Sequence, residues 1–289
     1  MSAELNDLRR WIGKEECRHD EVTAVPLACL SATLNRDDPF PTLGDPVPPL
    51  WSWLYFLSAD KEGDLGPDGH IRRGGFLPPV SLPRRMWAGG RLRFYRDLLV
   101  GGIVTRTSRI LDVQIKSGRS GPLVFVVVGH EISDAAGVIL TEEHDIVYRD
   151  NSKANRRHDG QERPTNKAMW SRTIHPNEVL LFRYSALTFN GHRIHYDRRY
   201  ATEIENYPGL VVHGPLLATL LLDLLRCNLS GVRVTDFSFR AIAPLFDTAS
   251  CLLCGRLDDS GDEVDLWAET EDGFVTMRAK ATVTTSDGD

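Results

Sequence analysis

The stretch VHGPLLATLLL, residues 212–222, decides the fold because it starts an apolar helix that needs cover on most sides. Pro215 suits the first turn of a helix, and leucine dominates the positions that follow. Four runs typical of β-strands come next, over 235–243, 250–258, 264–270 and 274–284. A curved antiparallel sheet made of these strands could wrap around the helix and bury it.

The last of these runs shows the strand pattern most clearly. Apolar and polar residues alternate from Val275 to Thr284, which is typical of an antiparallel strand with one buried face. Asp272-Gly273, just before it, is a turn pair that favours a β-hairpin. We therefore expect a hairpin between the runs at 264–270 and 274–284.

The first half of the chain repeats this plan weakly. SATLN at 31–35 resembles SALTFN at 185–190, and VPPLWSWLYFL at 47–57 resembles the helix-starting stretch at 212–222. Further β-like runs cover 102–117, 123–128 and 138–148. The first half is therefore also expected to hold one apolar helix followed by an antiparallel meander.

A polar segment without periodicity, residues 151–164, separates the two halves and is typical of a linker. The sequence thus predicts an N-terminal domain over 1–150 and a C-terminal domain over 165–289, each near the commonest domain length.

Composition and charge exclude several classes of protein. The 289 residues are 42% hydrophobic and 26% charged, with a net charge of −6, which is a globular balance and argues against a nucleic-acid-binding body. No apolar run reaches the roughly 18 residues of a membrane helix. The start, MSAELNDLRRW, has no apolar core, so we expect no signal or transit peptide. Five widely spaced cysteines indicate a reducing cytoplasm, and the preference for Arg over Lys is typical of a GC-rich bacterial genome.

A polar loop between Phe189 and Asp197 carries the candidate chemistry. Asp197 is placed to cap a short helix, which would anchor one end of the loop. Its side chains include those of Asn190, His192, Arg193 and His195. Polar groups on an anchored loop are a common way to build a site.

Gly214 offers a second functional group. It precedes Pro215 at the start of the apolar helix, so its N–H would point outward at the positive helix end. Such a donor can stabilise a developing oxyanion, and a glycine lets a substrate come close.

These residues resemble the hydratase motif of the MaoC-like hotdog family, the (R)-specific enoyl-CoA hydratases. That motif has an Asp, an Asn two residues later, a His five residues after the Asp, and Val-His-Gly at the head of the central helix. The resemblance implies that His195 is the catalytic base and that Gly214 forms the oxyanion hole. Asn190 then stands at the position of the Asp, and His192 at that of the Asn.

The first half resembles the N-terminal domain of a double-hotdog subgroup. LPRRMWAGG at 82–90, SGRSGPLVF at 117–125 and EHDIVYR at 143–149 carry this resemblance. The subgroup contains 3-hydroxyacyl-thioester dehydratases and mesaconyl-C4-CoA or itaconyl-CoA hydratases. It implies an α+β double hotdog, with two antiparallel sheets that each wrap around a central apolar helix.

The first half has no counterpart of His195, because Arg36-Asp-Asp-Pro follows Asn35. We therefore expect a degenerate domain that shapes the substrate tunnel. Its contribution would be Arg84, Arg85 and Trp87, expected on a loop flanked by Pro and Gly.

The resemblance implies a hydro-lyase that adds or removes water at the double bond of an enoyl-CoA thioester. We expect a short C5 dicarboxylic acyl group, itaconyl or mesaconyl-C4, because Arg193, Arg84 and Arg85 could pair a free carboxylate. His213 is expected to bind substrate or to form a structural hydrogen bond. CoA would be part of the substrate, with no metal or other cofactor and no nucleic acid or membrane partner, and a homodimer is possible.

Asn190 leaves the mechanism open, since an amide cannot accept a proton. His195 could be the sole base, or His192 could be a second acid or base. Three alternatives follow: a 3-hydroxyacyl-thioester dehydratase of fatty-acid metabolism, a thioesterase, or a non-catalytic acyl-CoA-binding protein. The loop offers no carboxylate before Asp197 that could activate water at a carbonyl, which disfavours the thioesterase.

Overall fold

Ten antiparallel strands form one continuous sheet in the computed structural model, which describes residues 7–118, 121–150 and 162–285. The strands are β1 (Glu15–Glu21), β2 (Arg84–Phe94), β3 (Ile103–Gly118), β4 (Gly121–Asp134), β5 (Gly137–Arg149), β6 (Trp170–Ile174), β7 (Val232–Ala241), β8 (Cys251–Leu257), β9 (Glu263–Thr270) and β10 (Val275–Thr285). Three α-helices accompany them: α1 (Ala24–Thr33), α2 (Glu178–Leu187) and α3 (Gly214–Asn228).

The strand order reveals an internal repeat. It runs β1-β3-β4-β5-β2 in the first half and continues as β7-β10-β9-β8-β6 in the second, so each half has the same order read from opposite ends. The halves join where β2 pairs with β7, from Gly89 opposite Arg240 to Arg93 opposite Asp236. This arrangement confirms the α+β double hotdog, with its two five-stranded units fused edge to edge.

The second half matches the sequence prediction closely. Helix α3 has ten buried residues and packs on β6, β8, β9 and β10, so the sheet covers it as its leucines require. The hairpin between β9 and β10 is confirmed, and Gly273 takes a φ of +75°, a conformation in which glycine is favoured. All four predicted strands after α3 are present.

In the first half, the prediction of an apolar helix over 47–57 is wrong. Only Trp51–Leu54 is helical, as a single 3₁₀ turn. Leu50 and Phe56 on either side have φ values of 69° and 58°, in the left-handed region that a right-handed helix cannot contain. The predicted similarity of SATLN and SALTFN is reflected in the structure, because both segments end an α-helix, α1 or α2.

Strands β1, β2 and β6 were not predicted. Arg84, Arg85 and Trp87 therefore do not lie on a loop but in β2, at the junction of the two halves. The expected linker over 151–164 falls between β5 and β6. Its residues 151–161 lie outside the described part of the chain, so the domain division stays a prediction.

The inner face of the first-half sheet is covered by several separate segments and not by one long helix. Around the 3₁₀ turn, Trp51, Leu54 and Phe56 join the main core together with α1. At the other end of the sheet, Val80 and Leu8 cover Val126 and Tyr148. In residues 7–118, 121–150 and 162–285, none of the helices has the length and apolar character needed to span a bilayer.

Candidate active site

A cavity of about 410 Å³ lies between the two halves, at the amino end of α3. The first half contributes the start of β2, the end of β5 and a loop before β2. The second half contributes the polar loop and the start of α3. Side chains and backbone in contact with the cavity include Asp68, His70, Arg84, Arg85, Trp87, His144, Arg149, Asn190, His192, His195, Glu205 and Gly214.

His195 has a defined tautomer in this cavity. Its Nδ1 lies 2.7 Å from the carbonyl oxygen of Val211, and a carbonyl only accepts, so Nδ1 must carry the hydrogen. Nε2 is therefore the basic nitrogen. Burial lowers the pKa of His195 to about 4, so the ring is neutral at neutral pH and able to accept a proton.

His213 lies behind His195 and not in the cavity. The two rings stack at a centroid distance of 3.7 Å and an angle of 18°, and His213 is fully buried. Its Nε2 is 2.8 Å from the hydroxyl oxygen of Ser185. The prediction that His213 contacts substrate is thus wrong, and its alternative reading as a structural hydrogen-bonding residue fits: it holds the His195 ring in place.

Gly214 begins α3 and lines the cavity. A Cβ at this position would meet only the carbonyl oxygen of Trp87, at 3.7 Å, so there is space beside the glycine for a substrate atom. Within the described residues, no acceptor binds this N–H. A free donor at a positive helix end is suited to holding a thioester oxygen as it gains charge.

Asn190 shapes the polar loop. Its side-chain oxygen accepts a hydrogen bond from the backbone N–H of His192 at 3.0 Å. The loop is anchored as expected at its far end, where Asp197 accepts from the N–H of Tyr200 at 3.0 Å. Asn190 lines the cavity with His192 and His195, and burial lowers the pKa of His192 far below its usual range.

Arg193 does not face the cavity, which corrects the prediction that it pairs a substrate carboxylate. Its guanidinium donates to Asp197 at 2.7 and 3.0 Å and to the carbonyl oxygen of Pro67 at 3.0 Å. The residue thereby ties the polar loop to the first half. Three of its five N–H groups are engaged in these contacts, and the side chain is not among those that line the cavity.

The two neighbouring arginines of β2 differ. Arg84 lines the cavity but is bound to Glu205 at 3.1 Å and also contacts Tyr207, so its pairing with a substrate carboxylate stays a prediction. Arg85 lines the cavity, and no carboxylate of the described residues lies within salt-bridge distance of it. Trp87 also lines the cavity, with its ring 3.9 Å from that of His144.

Asp68 and His70 were missed by the sequence analysis. They lie on the first-half loop before β2, and the loop docks on the polar loop through a 2.9 Å hydrogen bond from the N–H of Arg193 to the carbonyl of Asp68. Asp68 accepts from His70 Nδ1 at 3.0 Å. The His70 ring lies 4.0 Å from that of His192, which is 5.3 Å from that of His195. No local motif marks Asp68-Gly-His70, so only the fold reveals them.

The surroundings of Asp68 and His70 keep both side chains in their deprotonated forms. Burial and the charge of Arg85 lower the pKa of His70 to about 4, although Asp68 opposes this. Burial alone would raise the pKa of Asp68, but the hydrogen bond and charge of His70 outweigh it, and the net pKa lies well below the usual range. At neutral pH the site therefore holds a carboxylate and neutral imidazoles.

Two groups of histidine and carboxylate have nitrogen and oxygen atoms within 4.8 Å of one another in the described residues. One is Asp68, His70 and His192, in which a hydrogen bond already joins the first two. The other is His130, Glu142 and His144 inside the first half, where Trp53 donates to Glu142 at 2.9 Å. Neither group is assigned to a metal.

Comparison with known proteins agrees with this geometry. The family model for hydroxyacyl-thioester dehydratase type 2 matches residues 50–247. The chain is 45% identical over 273 residues to the mesaconyl-C(4)-CoA hydratase of Chloroflexus aurantiacus, covering 94% of this chain and 96% of the relative. It is 29% identical to the mitochondrial hydroxyacyl-thioester dehydratase type 2 of Schizosaccharomyces pombe, covering 86% and 91% of the two chains.

Solved structures share the fold at low identity. The MaoC-like dehydratase of Phytophthora capsici aligns with a TM-score of 0.66 at 13% identity, covering 97% of this chain and 98% of the other. A Mycobacterium tuberculosis protein with a double hotdog fold aligns with a TM-score of 0.56 at 12% identity, covering 94% and 96%.

Proposed function

The chain belongs to the hydroxyacyl-thioester dehydratase type 2 family, and on this basis we propose that it hydrates a branched C5 dicarboxylic enoyl-CoA. The first candidate substrate is mesaconyl-C4-CoA, and the product is citramalyl-CoA. The enzyme is a hydro-lyase, so the same site also removes water in the reverse direction. One observation carries the proposal: the cavity is lined by a neutral histidine base and by Arg85, which has no carboxylate partner among the described residues.

His195 and Gly214 supply the chemistry that any enoyl thioester needs. The thioester oxygen would accept the Gly214 N–H, which stabilises the enolate that forms when water adds to the β-carbon. His195 Nε2 is free to exchange a proton with the substrate, since Nδ1 is committed to Val211. No oxidation state changes in this reaction, so we propose that no redox cofactor takes part, and CoA enters only as part of the substrate.

Arg85 supports the dicarboxylic substrate. Trp87 marks the thioester end of the cavity, because its carbonyl lies beside Gly214. Arg85 is two residues along the same strand, or about 7 Å away at roughly 3.3 Å per residue. At this separation from the thioester end, the guanidinium of Arg85 would be within reach of the carboxylate of a short acyl group. A charge-assisted, two-pronged hydrogen bond would then select the dicarboxylic acid.

The test is hydration of four thioesters by the purified protein: crotonyl-CoA, a medium-chain enoyl-CoA, mesaconyl-C4-CoA and itaconyl-CoA. We expect kcat/KM for mesaconyl-C4-CoA to exceed that for crotonyl-CoA by at least about tenfold, since a hydrogen bond to a charged group is worth about 1.5–3 kcal/mol. His195→Ala should lower the rate by about 10²- to 10⁴-fold, the range for loss of a general acid or base.

Other outcomes would replace the proposal. A preference for the simple chains would make the protein a 3-hydroxyacyl-thioester dehydratase. Release of free CoA thiol would indicate a thioesterase. Tight CoA binding without turnover, unchanged by His195→Ala, would indicate an acyl-CoA-binding protein.

We further propose a cytoplasmic enzyme that acts as a homodimer. The outermost strands β1 and β6 each leave one edge unpaired within the described part of the chain, and such edges can pair with a second copy. Sedimentation of the full chain would show the oligomeric state, with a single-chain mass counting against the dimer.

A further inference from the structure

We propose that His70, oriented by Asp68, is a second acid–base group of this site and performs the proton transfer that Asn190 cannot perform. The proposal rests on the hydration activity proposed above. It assigns a catalytic group to the first half, which by its sequence has no counterpart of His195.

The first observation is the docking of the loop that carries both residues. Gly69 and Gly191 meet backbone to backbone: a Cβ on Gly69 would lie 1.9 Å from the carbonyl oxygen of Gly191. Arg193 adds hydrogen bonds to the carbonyls of Pro67 and Asp68. The loop is thus held against the polar loop by a close backbone contact that glycine permits and by the hydrogen bonds of Arg193, which places Asp68 and His70 at the cavity wall.

The second observation is the orientation of His70. Asp68 accepts from Nδ1 at 3.0 Å, and an ionised carboxylate only accepts, so the hydrogen is on Nδ1 and the lone pair on Nε2. His195 has the same tautomer, held by Val211. The cavity therefore contains two imidazoles with oriented basic nitrogens, while the ring of His192 lies between them.

The third observation is the position of the carboxylate. In the motif that the loop resembles, an Asp stands where this chain has Asn190, and Asn190 uses its oxygen to bind the N–H of His192. Asp68 returns a carboxylate to the same cavity from the other half, with His70 in front of it. Asp68 is the positioning residue, and His70 is the group that would touch the reacting water.

Arg85 decides which end of the substrate meets His70. Arg85 and His70 line the same cavity, and the charge of Arg85 contributes to the lowered pKa of His70. In mesaconyl-C4-CoA the β-carbon bears the free carboxylate. An acyl group held by Arg85 at that carboxylate and by Gly214 at the thioester presents its β-carbon toward His70 and its α-carbon toward His195.

The proton balance then closes without any further reactant. His70 Nε2 takes one proton from the water whose oxygen bonds to the β-carbon, and the π electron pair moves to the thioester oxygen at Gly214. The proton has to reach His195 Nε2, and the ring of His192, which lies 4.0 Å from that of His70 and 5.3 Å from that of His195, would relay it. His195 delivers it to the α-carbon as the carbonyl reforms, and every imidazole is neutral again.

The charged and titratable groups that act on His70 favour its neutral form at the start. Asp68 is the only anion among them, while Arg73 and Arg85 are cations and His192 and His195 lie on the polar loop. A neutral His70 can accept the proton of water, and Asp68 stabilises the cation that results.

The test separates water addition from proton exchange at the α-carbon. The saturated 3-carboxybutanoyl-CoA has the substrate skeleton without the double bond, so its α-proton exchange in D₂O requires His195 and Gly214 but no water activation. His70→Asn keeps a donor for Asp68 and removes the base. We expect hydration of mesaconyl-C4-CoA to fall by about 10²- to 10⁴-fold while exchange changes by less than about threefold.

Three further variants complete the test. Imidazole in the buffer should restore part of the hydration rate of His70→Ala, which a purely structural role would not allow. Asp68→Asn should lower hydration without lowering exchange, whereas Asp64→Asn, an exposed residue of the same loop, should change neither.

Parallel loss of hydration and exchange in His70→Asn would overturn the proposal and make the residue structural. Unchanged hydration would overturn it in favour of His195 as the sole base. A stoichiometric bound metal whose removal abolishes wild-type hydration would also overturn it. If the wild-type protein exchanges the α-proton but hydrates none of the four thioesters, the proposed hydratase function is wrong. The assignment of α-proton exchange to His195 and Gly214 would still stand.

Discussion

The two halves have the same strand order but use the segment after their first helix in opposite ways. In the second half, the segment after α2 carries Asn190, His192 and His195 and forms the cavity. In the first half, the segment after α1 carries Arg36 and Asp38, which form ion pairs with α3 of the other half. One copy of the loop lines the cavity, and the other forms ion pairs with the helix whose amino end borders that cavity.

The helices differ in the same sense. Helix α3 fills the second half, whereas a 3₁₀ turn of four residues stands at the matching place in the first. The shorter helix leaves the inner face of the first sheet with buried polar groups such as Glu142 and Ser108. The segment between the 3₁₀ turn and β2 is long, and it crosses to the second half. It brings Asp68 and His70 into the cavity. The degenerate half thus supplies site residues that a symmetrical pair would lack.

The largest expected effect concerns the support for α3. Asp223 is almost fully buried and pairs with Arg36 from the first half and with Arg172 at 2.8 Å. Asp223→Ala would leave two guanidinium groups without this partner, and breaking a buried pair costs about 3–5 kcal/mol. Urea denaturation should show a loss of that size in the free energy of unfolding.

Glu203→Ala is the matched control, because Glu203 forms an exposed pair with Arg199 and such pairs are worth about 0–1 kcal/mol. Equal losses in the two variants would mean that the first half does not anchor α3 through Asp223.

The second prediction concerns the contact between Gly69 and Gly191, which joins the first-half loop to the site. Gly69 has a φ of +86° and no room for a Cβ beside Gly191. Gly69→Ala should displace the loop of Asp68 and His70, and a displacement of about 1 Å can cost about 100-fold in rate. We expect this loss in kcat for hydration. Gly63→Ala, on the same loop with open space around it, is the control. Full activity of Gly69→Ala would show that the loop does not need this contact.

The sequence predicted the second half well because its signals are local. The apolar run of α3, the alternation of β10 and the Asp272-Gly273 turn each depend on neighbouring residues. The resemblance of residues 178–222 to the hydratase motif placed His195, Asn190 and Gly214 in one site, and the cavity brings these three together.

The first half was harder because its signals depend on distant partners. The bulky apolar run at 47–57 satisfies a helix pattern, but Leu50 and Phe56 adopt left-handed conformations that stop it. Strand β2, rich in Arg and Gly, gains its order from pairing with β5 and β7. Asp68 and the polar loop are more than 100 residues apart, so nothing local could join them.

The third prediction asks whether the first half also selects the substrate. Arg85→Gln removes the charge that would bind the substrate carboxylate, which is worth about 1.5–3 kcal/mol or roughly 10- to 150-fold in kcat/KM. We expect that loss for mesaconyl-C4-CoA and little change for crotonyl-CoA. Arg91→Gln, an exposed residue of the same strand paired with Glu143, should affect neither. An equal loss for both thioesters would place the role of Arg85 elsewhere than at the carboxylate.

The smallest effect compares the two serines that the repeat places at matching positions, Ser31 and Ser185. Ser185 binds His213, whose other ring nitrogen is buried without a partner in the described residues, and His213 stacks on His195. Ser185→Ala should cost about 1 kcal/mol of stability, because a buried nitrogen loses its hydrogen bond, and should lower kcat by less than about tenfold, since the stack remains. Ser31 donates to Asp38 at 2.9 Å, on the supporting loop. Ser31→Ala should cost a similar free energy of unfolding and leave kcat unchanged. Thermal unfolding and kcat measured on both variants test this, and a matching loss of kcat in Ser31→Ala would mean that the supporting loop still acts on the reaction.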